Sequence, residues 1–129
     1  MSDEVEALLH PSDDEKFWAE IVGLNGCYAQ GDNYSQIMAN LRDAHELCST
    51  VPNLPPPPPT EIALGDETTV ASLITVLAPH GWSESGESSA SNQLLAHTGS
   101  GARLCVPLDS GETLNSGFRA AVTTYLRGA

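Results

Sequence analysis

Four histidines, three cysteines and several Ser/Gly-rich stretches are the residues of this 129-residue chain that could carry chemistry. A metal centre needs three or four convergent ligands. His10, His45, His80 and His97 stand far apart and bring no three or four ligands into one motif, so no metal site and no cofactor is expected. Cys27, Cys48 and Cys105 are odd in number and widely spaced, which excludes both a disulfide framework and a CxxC pair; they are expected as reduced, mostly buried thiols. The GESS stretch within 85–91 is neither a GxSxG elbow nor a phosphate loop. The TGSGA stretch at 98–102 has glycines but no helix directly after them, so a hairpin turn is the expectation there. Trp82, beside a helix end, is expected to pack in the core.

The elements that position these residues follow from local pattern. Residues 4–10 and 17–22 read as two strands joined by a polar turn at 11–16, with Phe17, Ala19 and Ile21 on one face. After glycines at 23 and 26 comes a short strand at 27–30, ended by Gly31 and Asp32. Asn33 is a helix N-cap, and Gln36 three residues on completes a capping box. Ile37, Leu41, Ala44, Leu47 and Cys48 then form one apolar stripe, which leaves Asn40, Asp43 and Glu46 facing water.

Six prolines within 51–60 break the chain with a stiff polyproline spacer, rising about 3.1 Å per residue. Beyond it, 60–64 is an edge strand or an extended tail. A helix capped from 66–69 carries Val70, Leu73, Ile74 and Leu77 on its apolar face and stops at Pro79 and Gly81. Residues 83–91 are small and polar, as in a loop or a poorly ordered strand start near Trp82. Residues 93–97 and 103–107 form a hairpin, and 116–127 a last helix with Phe118, Ala121, Val122, Tyr125 and Leu126 on one side. The organisation is α+β in three parts: 1–50, a linker at 51–65, and 66–129.

Charge excludes one class of partner. The chain carries −12, split as ten acids against two bases in 1–59 and seven against three in 60–129. Lys16, Arg42, Arg103, Arg119 and Arg127 are too few and too scattered for a basic face, so no nucleic-acid partner is expected. The start MSDEVEALLH has no leader pattern, and no run approaches the ~18 apolar residues of a membrane span, so no membrane partner is expected and the cytoplasm is the expected compartment.

FWAEIVGLNGC followed by AQGDNYSQIMANLRDAHEL, residues 17–47, resembles the HicB antitoxin family. That resemblance implies a partial RNase H-like ββ(β)α unit used to neutralise a toxin. The helix at 70–79 with HGW after it, the strands LLAH and RLCVPL, and ETLNSGFRAAV resemble the partner toxin family HicA. This implies a dsRBD-like αββ(β)α unit that cleaves mRNA without a metal. The resemblance also implies a catalytic His where this chain has Asn92, and a second where it has Asp109, with the nearby basic residues missing too. An amide cannot exchange a proton near neutral pH, and proton transfer commonly supplies about 10²–10⁴-fold in rate, so no enzymatic activity is expected.

The expected function is thus non-catalytic protein–protein interaction: a fused antitoxin-like and inactive toxin-like pair of the type II toxin–antitoxin class. Contact within one chain or swapped between two, and a homodimer, are the expected partnerships. The alternatives are an antitoxin or decoy for a separate HicA-type toxin, and an enzyme of unrelated chemistry. Phe17, Trp18, Tyr28, Gln30 and Tyr34 form the candidate interaction surface.

Overall fold

In a computed structural model, which describes residues 7–12, 15–22, 26–50 and 57–127, the backbone forms two three-stranded antiparallel sheets and three helices, a mixed α+β fold. The first sheet contains β1 (Ala7–Pro11), β2 (Phe17–Ile21) and β3 (Tyr28–Gly31) in chain order. Its register sets Leu9 opposite Ala19 and Ala19 opposite Ala29. Because side chains alternate along a strand, Ala19, Ile21 and Ala29 share one face while Trp18, Tyr28 and Gln30 share the other.

Helix α1 (Tyr34–Cys48) starts at Asn33, whose side-chain oxygen accepts the Gln36 N–H at 2.9 Å. The return bond of the expected capping box goes one residue earlier: the Gln36 side chain accepts from the Asp32 N–H, not from Asn33. The five residues of the expected stripe are the five that α1 buries. Residues 51–56, with three of the six prolines, lie outside the described residues, as do 4–6 of the expected first strand and Gly23 of the turn before β3.

From residue 57 the chain follows the second half without forming a strand. The Thr60 N–H donates to the Leu126 carbonyl, and Ile62 and Leu64 pack on the core. Helix α2 (Val70–Leu77), capped by Thr69, ends in a 3₁₀ turn at Ala78–His80. Strands β4 (Trp82–Ser88), β5 (Asn92–His97) and β6 (Arg103–Pro107) make the second sheet, and α3 (Ser116–Arg127) buries Phe118, Ala121, Val122 and Leu126. Of the two expectations for the polar stretch, a loop or a strand start near Trp82, the structure has the strand, which runs to Ser88. Its pairing partner β5 imposes the ladder, with an irregularity between Glu84 and Ser88.

The sheets meet edge to edge. β3 and β6, each the last strand of its sheet, lie against each other, and the Cys105 N–H donates to the Gly26 carbonyl at 2.9 Å. Each face of this joined surface carries a core that crosses the boundary. Under α1, Ala19, Ile21 and Ala29 cluster with Leu94 and Cys105 of the second sheet. Under α2 and α3, Leu95, Leu104, Val106 and Phe118 cluster with Trp18 and Tyr28 of the first. Neither half completes its apolar face alone, which accords with how little core so few residues can enclose. Among the described residues no helix is long and apolar enough to cross a membrane.

Candidate functional site: the polar seam between the halves

Two polar clusters fasten the apolar cores. The first centres on Asp43 of α1. Its Oδ2 accepts the Ser89 hydroxyl at 2.5 Å, the Ser91 hydroxyl at 2.8 Å, the Ser91 N–H at 3.1 Å and the Asn92 amide at 3.0 Å. Burial by itself would raise the Asp43 carboxyl, but the bonds from Ser89, Ser91 and Asn92 outweigh it and hold the group below the usual carboxylate range. Asn92, only 2 % exposed, also donates to the Asn40 carbonyl at 3.1 Å, and Asn40 in turn donates to the Gln30 carbonyl at 2.8 Å. Asn40 and Asp43 are thus half-buried rather than fully exposed as the helical pattern suggested. The second half supplies the donors that reach the Asp43 carboxylate and the Asn40 carbonyl, the Gln30 carbonyl of β3 takes the Asn40 amide, and Glu46 stays exposed.

The second cluster centres on Gln30 of β3, 4 % exposed. Its amide nitrogen donates to Glu112 Oε2 at 2.8 Å and to the Thr113 carbonyl at 2.9 Å, and its oxygen accepts the Asn115 N–H at 2.9 Å. Asn115 caps α3 by accepting the Phe118 N–H and donates to the Phe17 carbonyl. Ser12 lies 2.7 Å from the Ser116 hydroxyl and accepts the Gly117 N–H at 2.8 Å. Trp18, stacked on His10 with ring centroids 4.3 Å apart, sits so close to Gly117 that any β-carbon there would overlap the indole. Replacing Gln30 by Leu leaves the Asn115 N–H buried without its acceptor; we expect a loss of about 2 kcal/mol in urea unfolding.

Between the clusters opens a polar cleft of about 410 Å³, lined by Lys16, Gln30, Asp32, Gln36, Asn40, Ser91, Asn92, Pro107, Glu112 and Thr113. Lys16 and Asp32 face each other there at 3.6 Å, an exposed pair of little energetic weight. No imidazole reaches the cleft. His97 lies on the opposite face of β5 from Asn92, as strand alternation required, with its Nδ1 accepting the Ser100 N–H and its ring against Trp82. His10 lies beside Glu20 on the first sheet, and His45 and His80 occupy the last turn of α1 and the 3₁₀ turn.

The expected interaction residues divide. Phe17, Trp18, Tyr28 and Gln30 all contact or pack with other parts of this chain, whereas Tyr34 is 61 % exposed. Burial, then the Glu20 carboxylate, pushes the Tyr28 phenol up to about 12, so it stays neutral and serves as a ring packed against Phe118 and Tyr125. Asp109 is exposed after β6, its carboxylate accepting the Gly111 N–H. Asp43, Asn115 and Ser12 were not among the expected site residues. Their partners lie 46 or more residues away, beyond any local motif.

The cysteines correct a further expectation. Cys27 and Cys48 form a disulfide between the entry to β3 and the end of α1, while Cys105 is a free buried thiol. Their 21-residue separation carries no motif, and the fold joins them because the α1 stripe ends over the start of β3. No protein-family model, curated protein or solved structure matches this chain.

Proposed function

We propose that this protein acts by non-catalytic protein–protein interaction, an antitoxin-like unit (1–50) holding a toxin-like unit (66–129) that lacks the proton-transfer group of an RNase. On this reading the βββα half is a partial RNase H-like unit and the αβββα half a dsRBD-like unit. The observation that carries it is the state of Asn92. At the position where the family resemblance implies a catalytic His stands an amide that is nearly inaccessible and spends its protons on Asp43 and Asn40 of the other half.

A group so placed supports binding, since general acid–base catalysis requires a titrating atom within reach of substrate. A separate toxin of the same class would have to displace residues 66–127 from Gln30 and Asp43. The pairing can be made within one chain or exchanged between two copies. A homodimer is compatible with either arrangement, and light scattering of the purified chain is expected to report one.

The test is RNA cleavage. Incubation with a structured RNA is expected to leave it intact, and Asn92→His is expected to remain inactive because α1 covers the position. RNA degradation by the purified protein, abolished by Asn92→Ala, would falsify the reading.

A further inference from the structure

Three sulfur atoms from three elements converge beneath α1. Cys27 precedes β3, Cys48 ends α1 and Cys105 lies in mid β6, and their Sγ atoms all fall within 4.8 Å of one another. All three residues are at most 1 % exposed, and they share a buried cluster with Ala19, Ala29 and Leu94. Two of the sulfurs are joined within the first half, and the third, a thiol, belongs to the second.

From this arrangement we propose that the cluster is a thiol–disulfide exchange site in which Cys105 attacks the Cys27–Cys48 bond and moves the crosslink across the seam. The step balances without an oxidant. A Cys105 thiolate forms a new S–S bond to Cys27 or to Cys48, the old S–S bond breaks, and its electron pair leaves on the other sulfur. The proton lost by Cys105 to a solvent base is regained by that departing thiolate. One disulfide and one thiol exist before and after, but the product ties β6 covalently to the entry of β3 or to the end of α1.

The closed fold restrains this chemistry. Burial, then the Asp43 carboxylate, pushes the Cys105 thiol far above its usual range, and the thiolate is the nucleophile. Exchange therefore requires the seam to loosen enough to admit solvent, and the new bond then fastens the two halves to each other. The position of the disulfide becomes a chemical record of whether the seam has opened.

Cleavage after Lys16, Arg42, Arg103 and Arg119 puts each cysteine on its own tryptic peptide: 17–42, 43–103 and 104–119. The unreduced full chain is incubated between pH 6.5 and 8.5, with and without sub-denaturing urea, quenched in acid, alkylated and digested. The starting sample is expected to show 17–42 linked to 43–103. Linked pairs containing 104–119 are expected to accumulate, faster in urea and about tenfold faster per pH unit, as the thiolate fraction rises.

Cys105→Ser is expected to keep the original linkage at every pH. Should that variant fail to fold, the pH and urea dependence of the wild-type chain decides alone. Three results would overturn the proposal: a 104–119 thiol that remains free in every condition, alkylation of all three peptides at the outset, or crosslinks that form between isotope-labelled and unlabelled chains.

Discussion

Gly26→Ala is expected to cost about 3–6 kcal/mol and to part the two sheets. Gly26 has φ +79°, where a β-carbon costs about 1–2 kcal/mol. The added methyl would overlap the Arg103 carbonyl and crowd the Tyr125 ring, a backbone clash of about 1–3 kcal/mol. Moving Gly26 away also loses the hydrogen bond from Cys105, worth about 1 kcal/mol. Against a typical total of about 5–15 kcal/mol this is a large fraction. Urea unfolding measures it, and Gly86→Ala separates the causes. Gly86 has φ +87° but open space around it, so its variant should show the conformational part alone. Equal losses in the two variants would mean that the close approach of β3 and β6 contributes nothing.

Asp43→Ala is expected to cost about 3 kcal/mol or more, because four donors lose one acceptor together. Ser89 and Ser91 are half-buried and can turn to water, but the Asn92 amide is enclosed and pays the larger desolvation penalty. The effect should depend on pH. Since the folded state lowers the Asp43 pKa, its contribution is fully present above the unfolded value near 4 and is lost as pH falls through the folded value. Wild-type stability should decline in acid below about pH 4, and Asp43→Asn should flatten that decline. Unfolding midpoints taken from pH 2 to 7 test this, and an unchanged acid limb in Asp43→Asn would show that the seam does not depend on the carboxylate.

Local pattern revealed the helices and missed the seam, for one reason. The cap at Asn33 and the stripe from Ile37 to Cys48 are complete within 16 residues, so periodicity alone places them. The same holds for α3. Strand β4 is different: after Trp82 it has no buried residue, and its extended form comes from pairing with β5, including a Ser85 hydroxyl bonded to the Leu94 carbonyl. A run of Ser, Glu and Gly carries no period to read.

Asp43 looks in sequence like any solvated position on an amphipathic helix. Only the juxtaposition of 89–92 from the other half gives its carboxylate four donors. Cys27 and Cys48 were hidden in the same way, since disulfide geometry is a property of the folded chain. Gln30, by contrast, was singled out with the strand–helix segment. Its partners Glu112, Thr113 and Asn115 became visible only in three dimensions.

The bonds from Ser12 to Ser116 and Gly117 join residues 104 and 105 apart, near the two ends of the described chain. Closing such long loops delays folding, because the entropy of bringing distant segments together is spent before their contacts form. During synthesis the first sheet and α1 emerge before Leu94 and Cys105 exist to complete the core beneath that helix. Until then the nascent first half must keep an incomplete apolar surface, as partly folded intermediates do. The tight interlocking of the finished molecule thus carries a kinetic consequence: its first third waits for its last third.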